Sequence, residues 1–244
     1  ATRRSALRRA PAATIPIIDH LTFTGLGEPL LDRYLIHRIA FARALMPGIL
    51  IDVTTDGSFL RPAIVDALIG AGLSQLNVSL NATTAASRQA IMGVDNFDQV
   101  VTSIRYAQQA GAGRMRVVVK GIASKDLMEG AAVEDFRATW GDITDATTAS
   151  GGYLHLEGNW AGTMWPMRVV PHAPCARALG QCMVLWDGRV STCCFDAEGA
   201  RIFGDLRTQT LREVYGAPAS VAFRQAHVDG QRGTLDLCRT CTSI

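Results

Sequence analysis

The chain has 244 residues, 48% of them hydrophobic and 19% charged, which suits one αβ domain with an appendage or two small domains. Its 24 Lys and Arg nearly balance 22 Asp and Glu for a net charge of +2, so neither a disordered chain nor a protein that grips nucleic-acid phosphates by bulk charge is indicated. The apolar stretch from Leu45 to Val53 is broken by Pro47, Gly48 and Asp52; no run nears the roughly 18 residues of a membrane span, and a soluble, cytoplasmic protein without membrane or nucleic-acid partners is expected.

In chain order, the first fourteen residues carry four Arg and no acid and read as a surface helix ending in a loop at Pro11. Short β-branched runs then alternate with stretches of helical period, the pattern of βα units around a parallel sheet. The predicted strands are His20 to Thr24, Ile49 to Thr55, Gln75 to Leu80, Met115 to Ile122 and Tyr153 to Glu157. Between Leu30 and Met46 the apolar Leu31, Leu35, Ile39 and Leu45 recur at helical spacing. Arg61 to Gly72 and Phe97 to Gly111 repeat that period, and each ends at a glycine. Five strands do not close an eight-stranded barrel, so an open sheet or partial barrel is predicted. Gly25 to Pro29, Asp56-Gly57, Ser79 to Asn81, Lys120 and Glu157 to Asn159 all fall at strand ends, on the carboxyl rim where parallel αβ folds bind ligands. Asn159 and the adjoining Trp160 offer an amide and an aromatic wall there, with packing an equal alternative. After residue 160 the pattern changes. Asp187-Gly188 predicts a two-residue hairpin turn between Met183 to Trp186 and Arg189 to Cys194, a second hairpin turns near Glu198-Gly199, and short helices follow around Thr210 to Tyr215 and Ala219 to His227.

All six cysteines lie in this last part: Cys175, Cys182, Cys193, Cys194, Cys238 and Cys241. A disulfide framework belongs to short secreted chains, and the vicinal pair is badly placed to bridge itself. Metal ligation fits better, since Cys238-x-x-Cys241 lets two thiolates grip one metal or cluster edge and two upstream thiolates complete a soft set. Zinc and iron–sulfur both satisfy that spacing. Gly25-x-Gly27 after a strand also matches the start of a dinucleotide fingerprint, but Leu30 stands where the third glycine belongs.

Together these pieces resemble one family. FTGLGEPLL at 23–31 is similar to the second-strand GGEP motif of radical S-adenosylmethionine (radical SAM) enzymes, TTDGSFL at 54–60 to the third-strand TNG motif with Asp56 for the usual Asn, and LNVSLNA followed by SRQAIMG to the fourth strand and its helix. Cys175, WDGRVSTCCFD, GDL, Arg224 and LCRTC resemble the SPASM or shorter twitch domain, which carries auxiliary [4Fe-4S] clusters. The resemblance implies a partial (βα) TIM-like barrel over residues 1–165 and a small cysteine-rich α+β domain over 166–244. It also implies S-adenosyl-L-methionine and [4Fe-4S] as cofactors, and an enzyme that generates a 5′-deoxyadenosyl radical to abstract a substrate hydrogen. The auxiliary cluster would assist oxidation of a small alcohol or amino sugar, or modification of a peptide, and the reductant would be a flavodoxin or ferredoxin.

Gly25 and Gly27 would let backbone approach the methionyl amine, and Glu28 would accept from that ammonium. By resemblance, Ser79, Asn81 and Arg88 are expected at the ribose hydroxyls and carboxylate, and Cys175, Cys193, Cys238 and Cys241 at the auxiliary cluster, Cys193 being preferred to Cys194. One departure is plain: no cysteine precedes Cys175, so the family's CxxxCxxC loop, with the strand before it, is not among these residues. The expectation is that it belongs to a preceding segment and that the 244 residues alone form no radical, the alternative being a degenerate, non-catalytic radical SAM fold or a zinc-binding module.

Overall fold

The computed structural model describes residues 18–25, 27–121, 131–140, 174–194, 196, 199–239 and 241. Those up to 140 belong to one unit and those from 174 to another. The expected strand at Tyr153 to Glu157, Asn159, Trp160, the domain boundary at 165/166 and the first fourteen residues lie outside the described residues.

In the first unit, β1 (His20–Phe23), β2 (Leu50–Thr55), β3 (Gln75–Ser79) and β4 (Arg116–Lys120) form a parallel sheet in sequence order. Ile51 and Val53, Leu76 and Val78, and Val117 and Val119 point to one face. There they pack with Leu35 and Ile39 of α1 (Leu35–Leu45), Val65 and Leu68 of α2 (Pro62–Gly70), Val100 and Ile104 of α4 (Phe97–Gly111) and Phe136 of α5 (Ala131–Trp140). Each such side chain, fully removed from water, contributes about 1.5–3 kcal/mol. Between β3 and α4 runs α3 (Ala85–Met92), opened by a capping box in which Thr84 and Ser87 exchange hydrogen bonds and closed by Gly93.

Apart from Leu50 and Val118, the alternate residues of these strands are polar on the other face. Asp52 pairs in register with Thr22 and with Gln75, and its carboxylate accepts from Thr22 Oγ1 at 3.0 Å and Asn77 Nδ2 at 3.0 Å and contacts His20 Nε2. A parallel sheet covered by helices on both faces is apolar on both; here one face is built for water or a ligand, as in a partial barrel.

The helix expected to begin at Leu30 is in fact two pieces. Pro29–Leu31 makes a 3₁₀ turn capped by Glu28, and α1 starts afresh at Leu35 after Asp32 accepts from the Tyr34 amide. Leu31 therefore lies outside the helix and Leu45 in its last turn off the buried stripe; each is 64% exposed, whereas Leu35 and Ile39 are buried.

The second unit contains α6 (Ala176–Gly180), an antiparallel sheet of β5 (Met183–Val184), β6 (Arg189–Ser191) and β7 (Ile202–Asp205), then α7 (Leu211–Gly216), α8 (Pro218–Val228), a 3₁₀ turn at Arg232–Thr234 and α9 (Asp236–Arg239). The β5–β6 hairpin is present, but its loop has three residues. The Leu185 amide donates to Arg189 O, so Trp186, Asp187 and Gly188 lie outside the ladder, with Gly188 left-handed at φ +89°. The β6–β7 connection winds round buried Asp196, which accepts from Ala200 N at 2.7 Å, Arg201 N at 3.0 Å and the Ser191 hydroxyl. Among the described residues no helix is long and apolar enough to cross a membrane.

Candidate functional site

The loops at the carboxyl ends of β1, β2 and β3 are stitched together by two side chains. Glu28 follows Gly25 and Gly27, whose φ values of +152° and +117° suit glycine alone. Its Oε1 accepts from the Leu30 amide at 2.9 Å and from Thr55 Oγ1 at 2.7 Å, and its Oε2 from the Asp56 amide at 2.8 Å. The sequence pieces around Glu28 and Asp56 are thus one structural unit. A Cβ built on Gly27 meets nothing within 4 Å, so the glycine serves the backbone path and leaves an open surface beside it. Glu28 lies on the rim, and the groups it holds in this structure are protein amides and a hydroxyl, so that it caps the 3₁₀ turn.

Arg88 lies behind the rim. Its side chain is fully buried; Nε donates to Asn96 Oδ1 at 2.6 Å, Nη1 to Leu80 O at 2.9 Å and Nη2 to Asp56 O at 2.8 Å. Asn96 in turn donates to Ser58 Oγ at 3.0 Å. Burial lowers the guanidinium pKa and Asp56 opposes the shift. The expectation that Arg88 presents its fork to a ligand carboxylate is not met here, because the fork is spent on the β2 and β3 loops. Ser79 ends β3 half-buried, and Asn81 is buried with its backbone left-handed at φ +54°. Its amide and that of Leu80 both donate to Lys120 O, at 3.1 and 3.0 Å, and its side-chain amide lies 3.6 Å from Met92 Sδ. A non-glycine residue in this region marks local strain that the fold maintains. Gly25, Gly27, Glu28, Ser79 and Asn81 therefore gather on one rim while Arg88 supports it from beneath. Sequence reasoning missed His20, Asp52 and Asn77, whose signal was polar residues alternating with Ile51, Val53, Leu76 and Val78 at period two.

In the second unit none of the six cysteines is joined in a disulfide. Cys175, Cys193, Cys238 and Cys241 line one cavity together with Thr192 and Arg232. Cys194 instead lies 3.4 Å from Arg177 Nη1, and Cys182 lines a different cavity beside Tyr215 and Arg224. Burial, then neighbouring Cys193 and Cys241, push the Cys238 thiol up to about 12. A thiol so buried resists ionisation unless positive metal neutralises it. Among the described residues no three His, Cys, Asp or Glu side chains are placed to hold a single metal ion.

Comparison with known proteins gives the family and the fold. Residues 4–129, over half of the chain, match the model of the radical SAM superfamily, and residues 175–242 match SPASM, an iron–sulfur cluster-binding domain. The chain belongs to the radical SAM superfamily; its expected cofactors are accordingly S-adenosylmethionine and [4Fe-4S]. Over 100 residues it is 34% identical to the probable GTP 3′,8-cyclase of Thermoplasma volcanium, covering 41% of this chain and 30% of that protein. Over 91 residues it is 41% identical to the GTP 3′,8-cyclase of Synechococcus elongatus, covering 37% and 27%. The alignments span only about 30% of the length of the curated relatives. Among solved structures, BtrN in complex with AdoMet and 2-DOIA superposes with a TM-score of 0.64 at 19% identity, over 98% of this chain and 78% of that one. Streptococcus suis SuiB bound to S-adenosylmethionine gives 0.62 at 13% identity, over 84% and 56%. The enzyme anSMEcpe with AdoMet and a Kp18Cys peptide gives 0.61 at 12%, over 98% and 78%. At these identities the likeness establishes the fold: a parallel radical SAM αβ sheet followed by a SPASM domain.

Proposed function

We propose that the chain forms part of a radical SAM oxidoreductase acting on a small alcohol or amino sugar, with modification of a peptide as the second reading and a flavodoxin or ferredoxin as reductant. When bound, S-adenosylmethionine supplies the hydrogen-abstracting 5′-deoxyadenosyl radical, and an auxiliary [4Fe-4S] cluster supplies an electron acceptor. Gly25 and Gly27 leave a backbone edge open to the methionyl end of the cofactor, and Glu28 fixes that edge while keeping acceptor capacity for its ammonium. Ser79 and Asn81 face the ribose and carboxylate from the neighbouring loop, and Arg88 positions both loops without touching the ligand. Cys175, Cys193, Cys238 and Cys241 hold the cluster.

The observation that carries the reading is the gathering of these four thiols on one cavity, which Cys182 and Cys194 do not line. A complete thiolate set needs no open iron for substrate, which favours electron acceptance over substrate ligation. Anaerobic iron and sulfide analysis with a visible spectrum tests it. The 244-residue chain should bind about four irons with a broad band near roughly 400 nm. Cys193→Ala should lose the iron and Cys194→Ala keep it. Zinc without iron would reject the reading.

A further inference from the structure

Three buried side-chain polar atoms among the described residues have no hydrogen-bond partner: Thr192 Oγ1, His227 Nε2 and Arg232 Nη1. All three belong to the cysteine unit. Leaving such a group unpaired costs about 1–3 kcal/mol, which is why folded proteins pair nearly all of them. Thr192 is 3% and Arg232 1% exposed, and both line the cavity of Cys175, Cys193, Cys238 and Cys241. Arg232 is already anchored by its other nitrogens: Nη2 donates to Cys241 O at 2.6 Å and Nε to Cys238 O at 3.3 Å. The guanidinium thus clasps the CxxC turn from one side and has a donor left on a cavity walled by thiols. Thr192 precedes Cys193 directly and lines this cavity as well as the neighbouring one of Cys182. His227 sits nearby, with Nδ1 3.4 Å from the Cys175 amide. A neutral protein lining cannot satisfy these donors, whereas the sulfurs of an anionic cluster can.

We propose that Arg232 Nη1 and Thr192 Oγ1 donate hydrogen bonds to sulfur atoms of the auxiliary cluster and so raise its reduction potential, keeping it able to take an electron. The proposal rests on the ligand set given under the proposed function. Reduction makes the cluster more negative, so donors to its sulfurs and a fixed cation stabilise the reduced form more than the oxidised one. Both residues are positioning residues: they act through the cluster and not on the substrate.

The test is a potentiometric titration, followed by electron paramagnetic resonance, of the 244-residue chain loaded anaerobically with iron and sulfide and of two variants. Thr192→Val keeps the branched shape and removes only the hydroxyl. It should retain about four irons, yet at fixed potential show a reduced-to-oxidised ratio about tenfold lower, equivalent to about 59 mV for a one-electron couple. Stripped of iron, the same variant should unfold no more easily than the unsubstituted chain, since it has lost an unpaired hydroxyl; a merely structural threonine would show the opposite. Arg232→Lys should lower the potential further and release iron faster to a chelator, because it also gives up the clasp on the CxxC carbonyls. If Arg232→Lys fails to load, Thr192→Val decides alone. An unsubstituted chain that binds no iron would overturn the ligand set and this inference with it, whereas loaded variants with unchanged potential would overturn the inference alone.

Discussion

The two largest fully buried side chains among the described residues are both arginines, Arg88 and Arg232, and each spends its guanidinium on backbone carbonyls of a site loop. Lysine at position 88 would carry the charge but could not reach three acceptors in one plane. Arg88→Lys should therefore destabilise the sheet unit by about 3 kcal/mol, seen as a fall of roughly 10 °C in its thermal transition. Glu28→Ala removes three hydrogen bonds from a half-buried loop and should cost about 1–2 kcal/mol as well as weakening S-adenosylmethionine binding, measurable by calorimetry. Asp205 is half-buried, and hydrogen bonding by Arg207 lowers its carboxyl pKa to about 2. The stabilisation it brings is present above the ordinary value of 3.8 and is lost as pH falls through about 2; Arg207→Ala should return the NMR titration of Asp205 toward 3.8. At this scale the sequence located the rim residues but not their use. A lone arginine on a short helix carries no local mark of burial, so Arg88 could be recognised only by its family position, which pointed outward to a ligand instead of inward to the loops.

Secondary elements were legible wherever a single period ran uninterrupted, and illegible where a cap intervened. Phe97–Gly111 is the helix that its apolar spacing predicts, whereas Pro29 and Glu28 split the preceding one by starting a 3₁₀ turn that Asp32 then ends. Glycine spacing showed turns but not their type, because loop length depends on which amide closes the ladder, as at Leu185 and Arg189. Two rim glycines separate conformational from steric demand. Gly27 has φ +117° with open space at its Cβ position, while at Gly57, φ +83°, a Cβ would stand 2.7 Å from Val100 Cγ1 and 3.1 Å from Val78 Cγ1. Gly27→Ala should cost about 1–2 kcal/mol through backbone strain alone, and Gly57→Ala distinctly more because the core must also yield. Chemical denaturation of the two variants checks the ordering.

Across the whole molecule the two units rest on different supports. The sheet unit is held by a continuous aliphatic core along its strands and helices, while the buried cluster of the cysteine unit consists of Cys175, Ala178, Phe223 and Cys238, with Phe203, Leu235 and Leu237 against it. Half of those buried members are proposed ligands, so metal binding and folding are coupled in that unit. Chelation of iron should raise amide hydrogen exchange through α6 and α8 and leave β2 and β3 unchanged. The alternation of strands and helices made the sheet unit readable because neighbours in sequence are neighbours in space. The cysteine cavity was not readable from spacing in the same way, since its walls come from residues 175, 192–193, 232, 238 and 241, brought together only by the intervening antiparallel sheet. That dispersal also sets an order of events during synthesis. The described strands and helices of the sheet unit all precede Cys175, but the cysteine cavity lacks half its thiols until the chain has passed Cys241. A cluster carrier that meets the protein earlier finds only Cys175 and Cys193, so loading belongs to the finished chain and competes with oxidation of thiols that have waited unpaired.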